Sequence, residues 1–307
     1  MQIILQLGLL VLGFVMLVKG SDWFVDGAAG IAAKFRIPQI IIGLTIVAMG
    51  TSAPEAAVSI TAAMGGSADI TVGNIVGSNI MNILVILGLA SAIVPIAVGK
   101  ATLKIDIPFM IAISAIFLLL GWDGTITRVD GLVLIALFVT YIGYMIWEAL
   151  HSNEEGDEIK ESPVWKMLLS TAIGLGLVVW GADVAVGAAT KLAQIFGMSE
   201  RFIGLTVVAL GTSLPELFTS VTAARKGNAD IAIGNIVGSN LFNILFVVGL
   251  SSMIIDGPFA ANFRIDMAVA IAAPLFMWLA SMKGMKLVRW HGIVMLLGYV
   301  AYFLYLL

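Results

Sequence analysis

Two short stretches hold the residues best suited to chemistry: GTSAPE, ending in Glu55, and GTSLPE, ending in Glu216. Thr51 and Thr212 stand four residues before the acids, so hydroxyl and carboxylate share one helical face. Ala48 and Ala209 lie one turn earlier on that face, Ser59 and Ser220 one turn later, and Ser52 and Ser213 flank it. Pro54 and Pro215 lack an N–H, which predicts freed carbonyls at Gly50 and Gly211 and an opened helix. Both stretches sit inside apolar runs, where unwound backbone is tolerated only if it is buried in protein or lines a cavity. The resulting carbonyls, hydroxyls and carboxylates are hard oxygen ligands, suited to sodium and calcium rather than to zinc or copper. A protonated glutamate bonded to a neighbouring helix would explain one such acid. Two at equivalent positions argue against it, since an ionised carboxylate at the bilayer centre costs about 3 kcal/mol or more unless neutralised.

A second pair of stretches follows: GNIVGSNIMN, residues 73–82, and GNIVGSNLFN, residues 234–243. Ser78 and Asn82 are four apart, as are Ser239 and Asn243, so each pair can add side-chain oxygens to a common site. Gly73 with Gly77, and Gly234 with Gly238, form small-xxx-small patterns that let helices pack closely. Asn74, Asn79, Asn235 and Asn240 are assigned to hydrogen bonds between helices, and Asp69 and Asp230 to N-caps. Two carboxylates balance one Ca²⁺, and about six to eight oxygens can be gathered around it. Several Na⁺ could use the same oxygens, and that competition would itself produce exchange.

These stretches lie in a chain of 307 residues that is 60% hydrophobic and 11% charged. A soluble domain carries about 25% charged residues, and the mean hydropathy of +1.07 is far too apolar for one. There is no cysteine, which excludes disulfides and thiolate chemistry, and two histidines, His151 and His291, do not make a histidine metal site. No basic tract suits nucleic acid. The N-terminal apolar run lacks a basic start and a small-residue cleavage site, so it reads as the first span. Ten spans are predicted, at about residues 3–30, 38–64, 70–98, 105–121, 129–150, 164–193, 200–224, 230–255, 264–282 and 288–306.

The two pairs of stretches belong to a duplication. Residues 43–89 recur as residues 204–250 at a constant offset, with roughly two-thirds of positions identical. The match continues outside the block: Asp22 with Asp183, Arg128 with Arg289, Tyr141 with Tyr302. Each copy has five spans, an odd number, so the second must enter the membrane from the other side. The expectation is therefore an all-α polytopic membrane protein with ten transmembrane helices in two inverted five-helix repeats. Residues 1–150 form the first repeat and 164–307 the second. The acidic stretch 151–163 links them and reads as solvated, because it lacks the ligand spacing of an EF-hand loop. Placing the N-terminus outside puts Lys34, Arg36, Lys100, Lys104, Lys160, Lys166, Arg225, Lys226, Lys283, Lys286 and Arg289 inside. Only Arg128, Lys191, Arg201 and Arg264 then lie outside, which predicts a cytoplasmic linker and extracellular termini.

GTSAPE with GNIVGSNIMN, and GTSLPE with GNIVGSNLFN, resemble the two α-repeats of the sodium/calcium exchanger family, and the resemblance covers the whole chain. It implies a Na⁺/Ca²⁺ antiporter working by alternating access, with spans 2, 3, 7 and 8 around a row of cation sites. Carried over by motif position, the central carboxylates are Glu55 and Glu216. Thr51, Ser52, Thr212 and Ser213 supply hydroxyl and carbonyl oxygens, and Ala48 and Ala209 backbone carbonyls. Ser78 and Ser239 supply hydroxyls, and Asn82 and Asn243 line the middle site. Spans 1 and 6 resemble the family's sliding gate. Some members, the potassium-dependent ones among them, have aspartate where Asn243 stands, so its neutral amide points away from potassium coupling. H⁺/Ca²⁺ exchange, K⁺-dependent exchange and a cation channel are the alternatives. No HExxH or GxSxG occurs, so an enzyme is not expected, nor a cofactor beyond the transported Na⁺ and Ca²⁺. The expected partners are those ions and the lipid bilayer, with the protein as a monomer.

Overall fold

In the absence of water an apolar run satisfies its backbone only by coiling, and the predicted spans do so. The computed structural model describes residues 2–66, 68–151, 163–198, 209–260 and 263–306. α1 (Gln2–Phe35) leads into a broken span, α2 (Gln39–Thr51) and α3 (Ala53–Met64). α4 (residues 68–93), α5 (Asp106–Leu120) and α6 (Arg128–His151) complete the first half. The second half holds α7 (Val164–Ile195), the broken pair α8 (Ala209–Thr212) and α9 (Leu214–Arg225), α10 (Ala229–Ile254), α11 (Phe263–Met282) and α12 (Arg289–Leu306). Among the described residues seven helices are long and apolar enough to cross a membrane, and the bent α2–α3 pair makes an eighth. α8–α9 and α12 stand at the predicted positions of the seventh and tenth spans. The acidic residues of the linker, Arg201 and the first residues of the second motif block lie outside the described residues.

The contact between α1 and α7 shows the relation of the halves. Gly13 meets Gly181 and Ala185, Gly20 meets Gly174 and Val178, and Gly27 meets Thr171 and Met167. Residue numbers rise along one helix as they fall along the other, so these equivalent helices run antiparallel. Glycine is required here: a Cβ on Gly13 would lie 2.7 Å from the Ala185 backbone nitrogen. The short strands agree. β1 (Ile96–Ala97) pairs antiparallel with β4 (Lys286–Leu287), and β2 (Thr125–Ile126) with β3 (Gly257–Pro258). Each pair therefore joins the loop after a half's third span to the loop after the other half's fourth. Loops so joined share a membrane face only if the second half is inverted.

α4 and α10 run through the centre and are the most buried spans, whereas α1 and α6 turn most of their surface outward. Exposed Val11, Leu132 and Val139 belong to that outward face. Gly234 and Gly238 let α10 pack on the backbone of α2 at Gly43 and Leu44, as the small-xxx-small reading expects. Of the counterparts in α4, a Cβ added at Gly73 would meet only the Phe263 ring among the described residues, at ordinary contact distance.

Three local details depart from the sequence reading. The breaks fall at Ser52 and Ser213, two residues beyond the predicted Gly50 and Gly211. Pro54 and Pro215 occupy the first turn of the following helix, where a missing N–H costs nothing. The α2–α3 bend is 51°. Wide π-helical turns occur at Gly43–Val47, Asn82–Leu87 and Asn243–Val248, none of which the sequence signals. Asp230 is not the N-cap of α10: Asn228 holds that position and Asp230 sits in the first turn, facing the helix's free N–H end. The Asp69 side chain lies outside the described residues.

Candidate cation site

The two breaks bring Glu55 and Glu216 together. Each acid opens the helix after its break, and both are almost wholly buried, at 1% exposure. Their hydrogen bonds cross between the halves. Ser52 Oγ donates to Glu216 Oε1 at 2.8 Å, and Ser213 Oγ donates to Glu55 Oε1 at 3.3 Å. The acid of one half is thus held by the serine beside the acid of the other. Among the described residues neither is ion-paired and no third acid, histidine or cysteine joins them. Two buried carboxylates can both stay ionised only with a neutralising partner, because an unpaired buried charge costs several kcal/mol.

Asparagines brace this arrangement. Asn74 Nδ2 donates to Ser59 Oγ at 3.0 Å and to the Glu55 carbonyl at 3.4 Å. Asn235 does the same to Ser220 Oγ at 2.8 Å and the Glu216 carbonyl at 3.4 Å. Thr51 Oγ1, with one proton to donate, lies within hydrogen-bond distance of the Val47 and Ala48 carbonyls of its own helix and, at 3.0 Å, of Asn235 Oδ1 across the interface. Asn82 Nδ2 donates to Asn240 Oδ1 at 2.9 Å, and Asn243 Nδ2 to Asn79 Oδ1 at 3.1 Å. The four asparagines assigned to helix contacts all make such bonds.

What remains unbonded defines the chemistry. Among the described residues, Glu55 Oε2, Glu216 Oε2, Asn82 Oδ1 and Asn243 Oδ1 are four of the buried polar atoms with no hydrogen-bond partner. Each half supplies one carboxylate and one amide oxygen. An orphaned buried acceptor is costly, and four from the equivalent positions of two helix pairs fit a cation that accepts only oxygen ligands.

The other predicted ligands surround these four. Thr51, Ser52, Ser213, Ser78 and Ser239 are buried, and Thr212 is half-buried. The Ala48 carbonyl accepts from Thr51 Oγ1 at 3.3 Å and from Ser239 Oγ at 3.5 Å, which ties α2 to α10. Ala209 begins α8, and its side chain lies outside the described residues. Ser78 opens onto a crevice of about 370 Å³ lined also by Asn74, Asp266 and Tyr302. The sequence reading missed the π-helical turns that begin at Asn82 and Asn243. It also missed the docking of α1 on α9, where Ser21 Oγ and Thr222 Oγ1 lie 2.9 Å apart. Lys226 caps that contact, 3.2 Å from Asp22 and 2.8 Å from Asp26.

Inverted halves converging on a buried oxygen cluster define the class: a multi-pass membrane transporter. The family model described as sodium/calcium exchanger protein matches residues 5–147 and 166–307. The sodium/calcium exchanger MaX1 of Methanosarcina acetivorans is 32% identical, over 96% of each chain. The inner membrane protein YrbG of Escherichia coli is 36% identical, over 90% of this chain and 89% of its own. Among solved structures, the sodium-calcium exchanger NCX_Mj soaked with zero Na⁺ and Ca²⁺ superposes with a TM-score of 0.89. It is 35% identical, and the match covers 99% of this chain and all of that one. The chain belongs to the sodium/calcium exchanger family.

Proposed function

We propose that this protein exchanges Na⁺ for Ca²⁺ across a membrane by alternating access, with Glu55 and Glu216 as the central ligands. The observation that carries the reading is a set of four buried oxygens without a hydrogen-bond partner among the described residues, two of them carboxylate, contributed equally by the two halves. Two negative charges neutralise one Ca²⁺. Sodium ions spread over the same oxygens and the flanking hydroxyls and carbonyls compete for it, so the site empties of one ion as it fills with the other. The ligand set is completed by Thr51, Ser52, Ser78 and the Ala48 carbonyl from the first half. Thr212, Ser213, Ser239 and the Ala209 carbonyl complete it from the second.

The movable part is the α1–α7 pair. Its own seam is glycine-lined, and Ser21, Asp22 and Asp26 dock it on the end of α9 through Thr222 and Lys226. The excess of lysine and arginine supports a cytoplasmic linker and extracellular termini. In that orientation the α1–α9 contact closes the cytoplasmic side.

The test is ⁴⁵Ca²⁺ uptake into proteoliposomes loaded with Na⁺, K⁺ or protons. Uptake driven by outward Na⁺ alone, and lost in Glu55→Gln, is the expected result. Uptake indifferent to Na⁺ would exclude the reading. Flux needing no counter-ion would mark a channel.

A further inference from the structure

The direction in which Asn82 and Asn243 face is set by other residues. We propose that Asn79 and Asn240 are positioning residues that hold Asn243 and Asn82 oxygen-first towards the cation. This rests on reading the buried cluster as the cation site.

A main-chain carbonyl can only accept. Asn79 Nδ2 lies 3.2 Å from the carbonyl of Asn240, so its amide must turn the NH₂ group that way. Its Oδ1 is then left for Asn243, 3.1 Å away, which must answer with its own Nδ2. That leaves Asn243 Oδ1, which is buried and has no partner among the described residues. The second half repeats the sequence of constraints. Asn240 Nδ2 is 3.2 Å from the Asn79 carbonyl, and its Oδ1 is 2.9 Å from Asn82 Nδ2. Asn82 Oδ1 is likewise buried and unbonded. All four side chains are at most 4% exposed, so water cannot supply a substitute.

An asparagine amide is nearly symmetric in shape but opposite in chemistry at its two ends. Turned by 180°, Asn82 or Asn243 would present an NH₂ group to a cation and repel it. The reciprocal clasp prevents that turn, and it does so across the interface of the halves. An ionised aspartate at 82 or 243 could not donate to this clasp. Partners that orient metal ligands in this way are worth about 10- to 100-fold in affinity.

The test is a double-mutant cycle on the full chain, with Ca²⁺ binding measured by calorimetry and folding by monodispersity and melting temperature. Asn79→Ala is expected to weaken Ca²⁺ binding by about tenfold or more. In an Asn243→Ala background the same change is expected to cost almost nothing, because the group it orients is gone. Asn240→Ala with Asn82→Ala forms an independent second cycle, which decides the matter if the first variant does not fold. A cost that is the same in both backgrounds would overturn the proposal and leave Asn79 a helix contact. Failure of the wild type to bind Ca²⁺, or Na⁺-independent uptake, would instead count against the exchange reading itself.

Discussion

At the scale of single residues the energetics turn on charge. Glu55 and Glu216 are buried, share hydroxyl donors across the halves, and each keeps one oxygen unbonded. Glu216→Gln retains shape while removing, on the proposed reading, half of the charge that balances Ca²⁺. Uptake should fall by about 100-fold or more, since the cost of an unmatched divalent charge in this medium exceeds 3 kcal/mol. Proteoliposome flux checks it, and a variant with near-normal flux would show that the carboxylate is not a ligand. Asn243→Asp tests the neutral position. The new acid adds a third negative charge and a titratable group, so exchange should become dependent on pH or on K⁺ across a series of external buffers. An unchanged ion dependence would mean that residue 243 does not face the ions.

At the scale of elements, two devices meet at the site. The serine-centred breaks at Ser52 and Ser213 aim the acids, and the π-helical turns beginning at Asn82 and Asn243 widen α4 and α10 beside them. The α1–α7 seam is the third device, and in the proposed mechanism it belongs to the moving part. A Cβ on Gly20 would lie 2.9 Å from the Gly174 carbonyl and the Val178 nitrogen, both immobile backbone atoms. Gly20→Val should therefore pry the pair apart, at about 1–3 kcal/mol. Transport should drop while Ca²⁺ affinity stays within about twofold, because none of the proposed ligands lies on α1. Calorimetry and flux on the same preparation separate the two effects. Loss of binding along with transport would assign the seam to the site's stability.

At the scale of the whole molecule, the halves are alike in the site and unlike at the gate. Lys226 holds Asp22 and Asp26 at one end, where Gly65, Asp183 and Gly187 stand at the equivalent positions of the other half. The ion pairs are partly exposed, so they are worth about 1 kcal/mol at most. Lys226→Ala should accordingly shift the balance between inward- and outward-facing forms by no more than about fivefold. The apparent Ca²⁺ affinity on the cytoplasmic face, measured in oriented vesicles, reads that shift; no change would show that the pairs do not bias the gate. Because the chain has no cysteine, its orientation can also be tested with single thiols. Asp123→Cys should react with an impermeant maleimide from outside the cell and Lys283→Cys should not. The reverse pattern would invert the assigned topology.

Much of this was legible in the chain itself. A repeated pair of motifs with an odd number of apolar runs per copy dictates inverted halves, because each run must cross the bilayer once. Acids placed among threonine, serine and proline on one helical face announce hard oxygen ligands, because local spacing fixes which side chains share a face. The rest depended on contacts between segments far apart in sequence. Ser52 meeting Glu216, the asparagine clasp that turns Asn82 and Asn243, and Lys226 reaching Asp22 join residues about 160 to 200 positions apart. The π-helical turns carry no distinctive residue at all. Periodicity reports what one helix presents, but the direction of an amide and the side on which a gate closes are settled only by the partner it meets, and that partner is supplied by the folded whole.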